Sequence, residues 1–219
     1  MDKTIEFKLK DIVRLYKISK EISIYCEQID RQKKMDITVH NELRMAFDHL
    51  MRVFSSNFGI ESNYKCDANY MKTNMDKCFD HVYRVAYDSL DWASLILTSK
   101  IEKEMDDFLS DSIIKIIPEY YEKVIPDIDD MNVEFTKLRS KKDIGDPTIE
   151  RVIEYSKGIN KLTEYHKLIA KKKSALVKYD RKVRKERKYD FIKQFIILFV
   201  IGGATAGIIV AVVMFLISQ

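Results

Sequence analysis

The sequence predicts an all-α protein: a cytosolic helical bundle with a long C-terminal helix that continues into a single transmembrane helix. Three observations lead there. Six glycines and three prolines in 219 residues are too few turn formers for a β-sandwich or an α/β enzyme. Apolar residues recur at helical spacing in the N-terminal segment, as at Ile12, Leu15, Ile18, Ile22 and Ile29, and that period is the primary mark of an amphipathic helix. From Gln194 to Ser218 the chain carries no charge, and uncharged apolar runs of at least ~18 residues read as membrane spans.

Taken in order, the first helix is predicted from Ile5 to about Lys34 and the second from Thr38 to Phe54. A polar loop, Ser55 to Asp67, contains Gly59 and two asparagines. A third helix runs from Asn69 to Leu109, with a break expected near Thr98. Pro118 and Pro126 punctuate the next stretch, because proline lacks the donor and crowds the preceding turn. Asp146 followed by Pro147 is a helix-start signal. No stop follows it, so one helix of about 70 residues, roughly 105 Å at 1.5 Å per residue, is expected. Leu162, Ile169, Leu176 and Val183 recur every seventh residue. With His166, Lys173 and Asp180 at the companion positions, this is half of a coiled-coil seam and suggests a parallel stalk. The expected organisation is a bundle over 1–146, a long helix with a basic segment over 147–193, and the span over 194–218.

Charge is unevenly placed. The segment 171–193 holds Lys171, Lys172, Lys173, Lys178, Arg181, Lys182, Arg184, Lys185, Arg187, Lys188 and Lys193 against three acids, while the whole chain is only +4. The rest is therefore mildly acidic. A basic flank beside an apolar span marks the cytoplasmic side and meets anionic headgroups; the alternative is a basic collar for a nucleotide or oligonucleotide. Within the span Gly203, Gly207 and Ala211 form a small-residue stripe of the kind that packs transmembrane helices. Three cysteines, Cys26, Cys66 and Cys78, suit a reducing compartment and argue against a disulfide framework or a structural zinc site. The N-terminus shows no apolar leader. The three glycines outside the tail cannot build a phosphate-cradling loop.

The most informative pattern is a repeat. Phe47-Asp48-His49-Leu50-Met51-Arg52-Val53 matches Phe79-Asp80-His81-Val82-Tyr83-Arg84-Val85, each reading F-D-H-x-x-R-V. Phe47 and Phe79 are expected on the core stripes of two related helices. Asp48, His49, Arg52, Asp80, His81 and Arg84 are expected on a polar stripe, with Asp–Arg pairs at i, i+4. Such a stripe is either a charged structural network or chemistry. A metal site from Asp48, His49, Asp80 and His81 is disfavoured, since di-metal bundles use E-x-x-H spacing. No cysteine or serine stands in an activated setting, and His40 and His166 look isolated.

Arg44-Met45-Ala46-Phe47-Asp48-His49 is similar to the R-x4-H motif of the HEPN superfamily, helical bundles that often act as metal-independent RNases. The resemblance implies His49 as acid/base and Arg44 as the phosphate partner; the second copy has Asp76 where the arginine would stand. The stretch from Glu42 to Trp92 resembles small bacterial helical proteins with a paired motif. The architecture is similar to that of membrane-anchored anti-phage effectors.

The leading expectation is thus a homo-oligomeric, tail-anchored effector in the bacterial inner membrane. Its bundle would sense a ligand, such as a nucleotide or oligonucleotide, and gate a pore or ion channel. A membrane-tethered RNase using Arg44 and His49, and a non-catalytic scaffold with a protein partner, are the alternatives. Membrane lipid is an expected partner, and no cofactor or metal is expected.

Overall fold

The computed structural model describes residues 3–29, 37–60, 67–140 and 148–217; the side chains of Thr4, 201–213 and 215–217 fall outside the description. All regular structure among the described residues is helical: α1 (Lys3–Ile29), α2 (Ile37–Phe58), α3 (Ala68–Met105), α4 (Ser110–Ile116), a π-turn (Tyr120–Val124), α5 (Ile125–Ser140) and α6 (Ile149–Ile217). The chain divides into two compact units, one of residues 1–106 and 119–170, the other of 107–118 and 171–219. They interleave along the chain, whereas the sequence suggests consecutive segments.

Helix ends follow local chemistry. α2 continues through Phe58, four residues past the expected stop. It closes at Gly59, whose φ of 64° suits a residue without Cβ. The Gly59 and Ile60 amides donate back to the Ser56 and Ser55 carbonyls, the paired bonds of a Schellman cap. α3 starts at Asp67, whose carboxylate accepts the Tyr70 amide at 2.8 Å, satisfying a first-turn donor. No break occurs at Thr98. The π-turn ends two residues before Pro126, and its closing bond runs from the Ile125 amide to the Tyr120 carbonyl. A wider turn accommodates the missing donor and the ring of the proline. The expected start signal at Asp146 and Pro147 lies outside the described residues.

In the first unit α3 is the central helix. Val85, Ala86, Tyr87, Ser89 and Leu90 are all buried, so it is covered on several sides. α1 and α2 pack on it, while Tyr87 meets Tyr155 of α6 edge-on at 5.8 Å. Asp91 of α3 accepts from Arg139 Nε of α5 at 2.8 Å and from the Tyr155 hydroxyl of α6 at 2.6 Å. That one carboxylate ties three helices. Asp127 of α5 likewise meets Lys161 at 2.7 Å and the Tyr165 hydroxyl of α6. Gly158 lets α6 approach α5: a Cβ there would stand 2.5 Å from Phe135 Cε1.

In the second unit α4 packs against the later part of α6. Leu109, at the α4 N-cap, has no capping side chain, and Asp180 supplies the acceptor for its amide at 2.9 Å. Arg184 completes the clasp through Asp180 at 2.5 Å and the Asp107 carbonyl at 2.6 Å. Burial pushes the Asp180 carboxyl up, but the bonds from Arg184 and Leu109 outweigh it and hold it below its ordinary value.

Two expectations need correction. Among the described residues no helix is long and apolar enough to cross a membrane, so the single-pass localisation is overturned. Gly203, Gly207 and Ala211 lie among the side chains outside the description. The heptad positions are no stalk seam either: Leu162, Ile169 and Leu176 are fully buried, packed inside the units themselves. Their companions His166 and Asp180 are buried with them.

Candidate functional site

The repeated motif does not fold symmetrically. Phe79 is buried, but Phe47 is 61% exposed, because α2 lies on one side of the central helix and turns Phe47 outward. Asp48 and Arg52 form the expected i, i+4 pair at 2.7 Å in the open. The second copy is wired differently: Arg84 approaches Glu42 of α2 at 3.7 Å. Burial raises the Asp80 carboxyl, with Lys8 and Arg84 opposing it.

The histidines turn inward instead of joining a polar stripe. His49 is buried and its ring stacks on His81, centroids 5.4 Å apart and planes within 14°. His81 Nδ1 lies 2.7 Å from Glu42 Oε2, and His49 Nδ1 lies 2.9 Å from Asn74 Oδ1. The Asn74 amide nitrogen donates to the Tyr70 carbonyl, which leaves Oδ1 as the acceptor. His49 Nδ1 therefore carries the proton and donates. Arg44 is exposed on another face of α2. The structure thus brings His49, His81, Glu42, Asn74 and Arg84 together and sets Arg44 apart from His49.

The second constellation joins residues far apart in sequence. A cleft of about 230 Å³ opens between α1, α3 and α6 of the first unit. Cys26, Leu97 and Ile159 are buried at its base. Ile18 and Ile22 line it with them, and Glu21, Tyr25, Asn160 and Lys167 supply its polar groups. The Tyr25 hydroxyl lies 2.8 Å from His166 Nδ1, and His166 Nε2 stands 3.7 Å from Glu104. The Lys167 ammonium lies over the Tyr25 ring, 5.6 Å from its centre. Burial, with the Glu104 carboxylate adding to it, raises the Tyr25 phenol. Its hydroxyl stays protonated and works as a hydrogen-bonding group, not as a nucleophile.

The chain matches no protein family, no curated protein and no solved structure.

Burial pushes the Cys26 thiol up to about 12 and the Cys78 thiol up to about 11, far from the thiolate that a nucleophile needs. No group of three or more potential metal ligands occurs among the described residues. Of the basic residues after α6 enters the second unit, Lys171, Lys172, Lys173, Lys178, Arg181, Lys182, Lys185 and Lys188 are exposed. Arg184 and Arg187 are engaged with Asp180 and Asp111.

His166 is the residue that pattern reading missed. Its signal was its place in the buried stripe between Leu162 and Ile169, where a polar side chain requires a partner. That the partner is Tyr25, in a helix 141 residues away, has no local signature.

Proposed function

We propose that the first unit is a non-catalytic sensing module that takes a small amphiphilic anion into the cleft between α1, α3 and α6. The observation that carries this is the composition of the cleft: an apolar base beneath a lysine ammonium and a tyrosine hydroxyl held from behind. Apolar walls with a few placed polar groups are the usual make-up of a ligand site. Ile18, Ile22, Leu97 and Ile159 would take a hydrocarbon body. Lys167 would meet the anionic head, and Tyr25, whose position His166 fixes, would hydrogen-bond beside it. A volume near 230 Å³ favours a compact molecule over an oligonucleotide. Because α1, α3 and α6 all wall the cleft, occupancy would stiffen the junction of three helices, which is how a ligand biases a fold.

The test is calorimetric titration of the full-length chain with octanoate, and separately with adenosine monophosphate as the bulkier, more polar anion. Octanoate is expected to bind. Lys167→Gln should weaken it about tenfold, the loss of one charge-assisted contact, and Ser156→Phe, which crowds the cleft from a partly exposed position, should abolish it. Binding of adenosine monophosphate alone, or octanoate binding that ignores both variants, refutes the assignment.

A further inference from the structure

α2 carries two apolar rows, and the bundle covers only one. Val39, Ala46, His49 and Val53 are buried, the inward row on α3. The second row is Phe47, Met51, Phe54 and Phe58. Phe47, Met51 and Phe58 are 61%, 39% and 68% exposed, and Phe54 is half-buried and stacks on Phe58 with centroids 6.0 Å apart. The spacing is four, three, four. That alternation is the a/d rhythm of helix pairing, period 3.5, which keeps one seam facing a partner helix along its whole length. Scattered surface apolar residues need no explanation; four bulky ones in seam register, three of them aromatic, do.

We propose that this row is a self-association face, occupied by α2 of a second copy of the chain in antiparallel orientation about a two-fold axis near Arg52 and Val53. An isologous contact requires a patch that complements itself, and this one does. The axis sets Phe47 of each copy against Phe58 of the other, and Met51 against Phe54. The layers are then aromatic on aromatic and methionine on aromatic, both favourable beyond simple burial. Charge permits the pairing because the flanking positions Ser55 and Asn57 are uncharged, and the Arg52 side chains that approach each other near the axis are each neutralised by Asp48 of their own chain at 2.7 Å. A nucleic acid would need an excess of cations here, which the row does not offer. The area is modest. Four such side chains per copy bury on the order of 800 Å² in total, below the ~1,200 Å² of stable interfaces. The dimer is therefore expected to be weak and reversible.

The experiment is sedimentation equilibrium of the full-length chain across roughly 1–200 µM, a range suited to a weak association. Wild type should shift reversibly from monomer to dimer. Phe47→Glu should abolish the shift, Phe58→Ser should weaken it at least tenfold, and Leu95→Glu, at an exposed apolar residue of α3 outside the row, should leave it unchanged. All three sites are exposed, and thermal melts confirm that each variant folds. Orientation is read by mixing Phe47→Cys with Phe58→Cys chains under mild oxidation, where the mixed disulfide should exceed either homodisulfide. A chain monomeric throughout, association indifferent to Phe47→Glu, or a homodisulfide excess overturns the proposal.

Discussion

Asp91 offers the sharpest test of how the first unit is held together, because one carboxylate serves two donors of unlike exposure. Arg139 reaches it from α5 and the Tyr155 hydroxyl from α6. A hydrogen bond to a charged group contributes about 1.5–3 kcal/mol. The Asp91 and Arg139 side chains are 27% and 36% exposed, so solvent screening puts that bond near the lower bound, ~1.5 kcal/mol. Tyr155 is fully buried, and leaving its hydroxyl without the acceptor costs a further ~2 kcal/mol. Asp91→Ala should therefore destabilise by about 3–4 kcal/mol, and Tyr155→Phe alone by about 1–2 kcal/mol. The decisive comparison is the double variant. In the Asp91→Ala background the hydroxyl has already lost its carboxylate acceptor, so Tyr155→Phe should cost less than in wild type, a coupling of at least ~1 kcal/mol. Urea denaturation followed by circular dichroism, with m unchanged, measures each value. An equal cost of Tyr155→Phe in both backgrounds would refute the claim that the carboxylate is the shared acceptor.

Three further outcomes are expected. Gly158→Ala gains about 1 kcal/mol of helix propensity but forces Phe135 out of contact, an overpacking cost of about 1–3 kcal/mol; a net loss in thermal melts that Phe135→Leu rescues supports the close approach, and a net gain contradicts it. His49→Leu strands the Asn74 acceptor and should cost about 2 kcal/mol, whereas His49→Asn should recover part of it; equal melts for the two variants would sink the assigned bond. The Asp180 carboxyl sits below its ordinary value when folded, so its contribution is full above the unfolded carboxylate value of about 4 and is lost as pH falls through and below it. The melting gap between wild type and Asp180→Asn should accordingly close on acidification, and a gap unchanged by acid would contradict the clasp on α4.

Much of the helical layout was legible, and the reasons are local. Sparse glycine and proline, with periodic apolar residues, was enough for an all-α bundle. The third helix, expected from Asn69, begins one residue earlier at Ala68, and the Asp67 cap that sets this boundary was not part of the sequence reading. What could not be read was which apolar row on each helix meets a neighbour. Phe47 and Phe79 occupy the same place in the same motif, yet one is exposed and the other buried, because burial depends on how many helices surround a position. The inward histidines escaped for the same reason: His49 and His81 are next to charged residues in sequence, but their ring partners come from different helices.

The heptad in α6 shows why a repeat period underdetermines its partner. Leu162, Ile169 and Leu176 satisfy the spacing of a stalk between copies, but the same spacing arises whenever a long helix lays one face on its own bundle. The polar companions decide between the two. In an intermolecular seam they would sit at a symmetric interface. Here His166 is bonded to Tyr25 and Asp180 to Leu109 and Arg184, partners that the unit's own helices supply. A polar group in an apolar row is thus the better reporter of destination, since burying it requires a specific partner whereas burying leucine requires only a surface. The outer row of α2 passes the same test in the opposite direction: no polar side chain interrupts Phe47, Met51, Phe54 and Phe58, and among the described residues no helix covers Phe47 or Phe58. An uninterrupted apolar row that its own fold leaves open is the arrangement a second copy can fill.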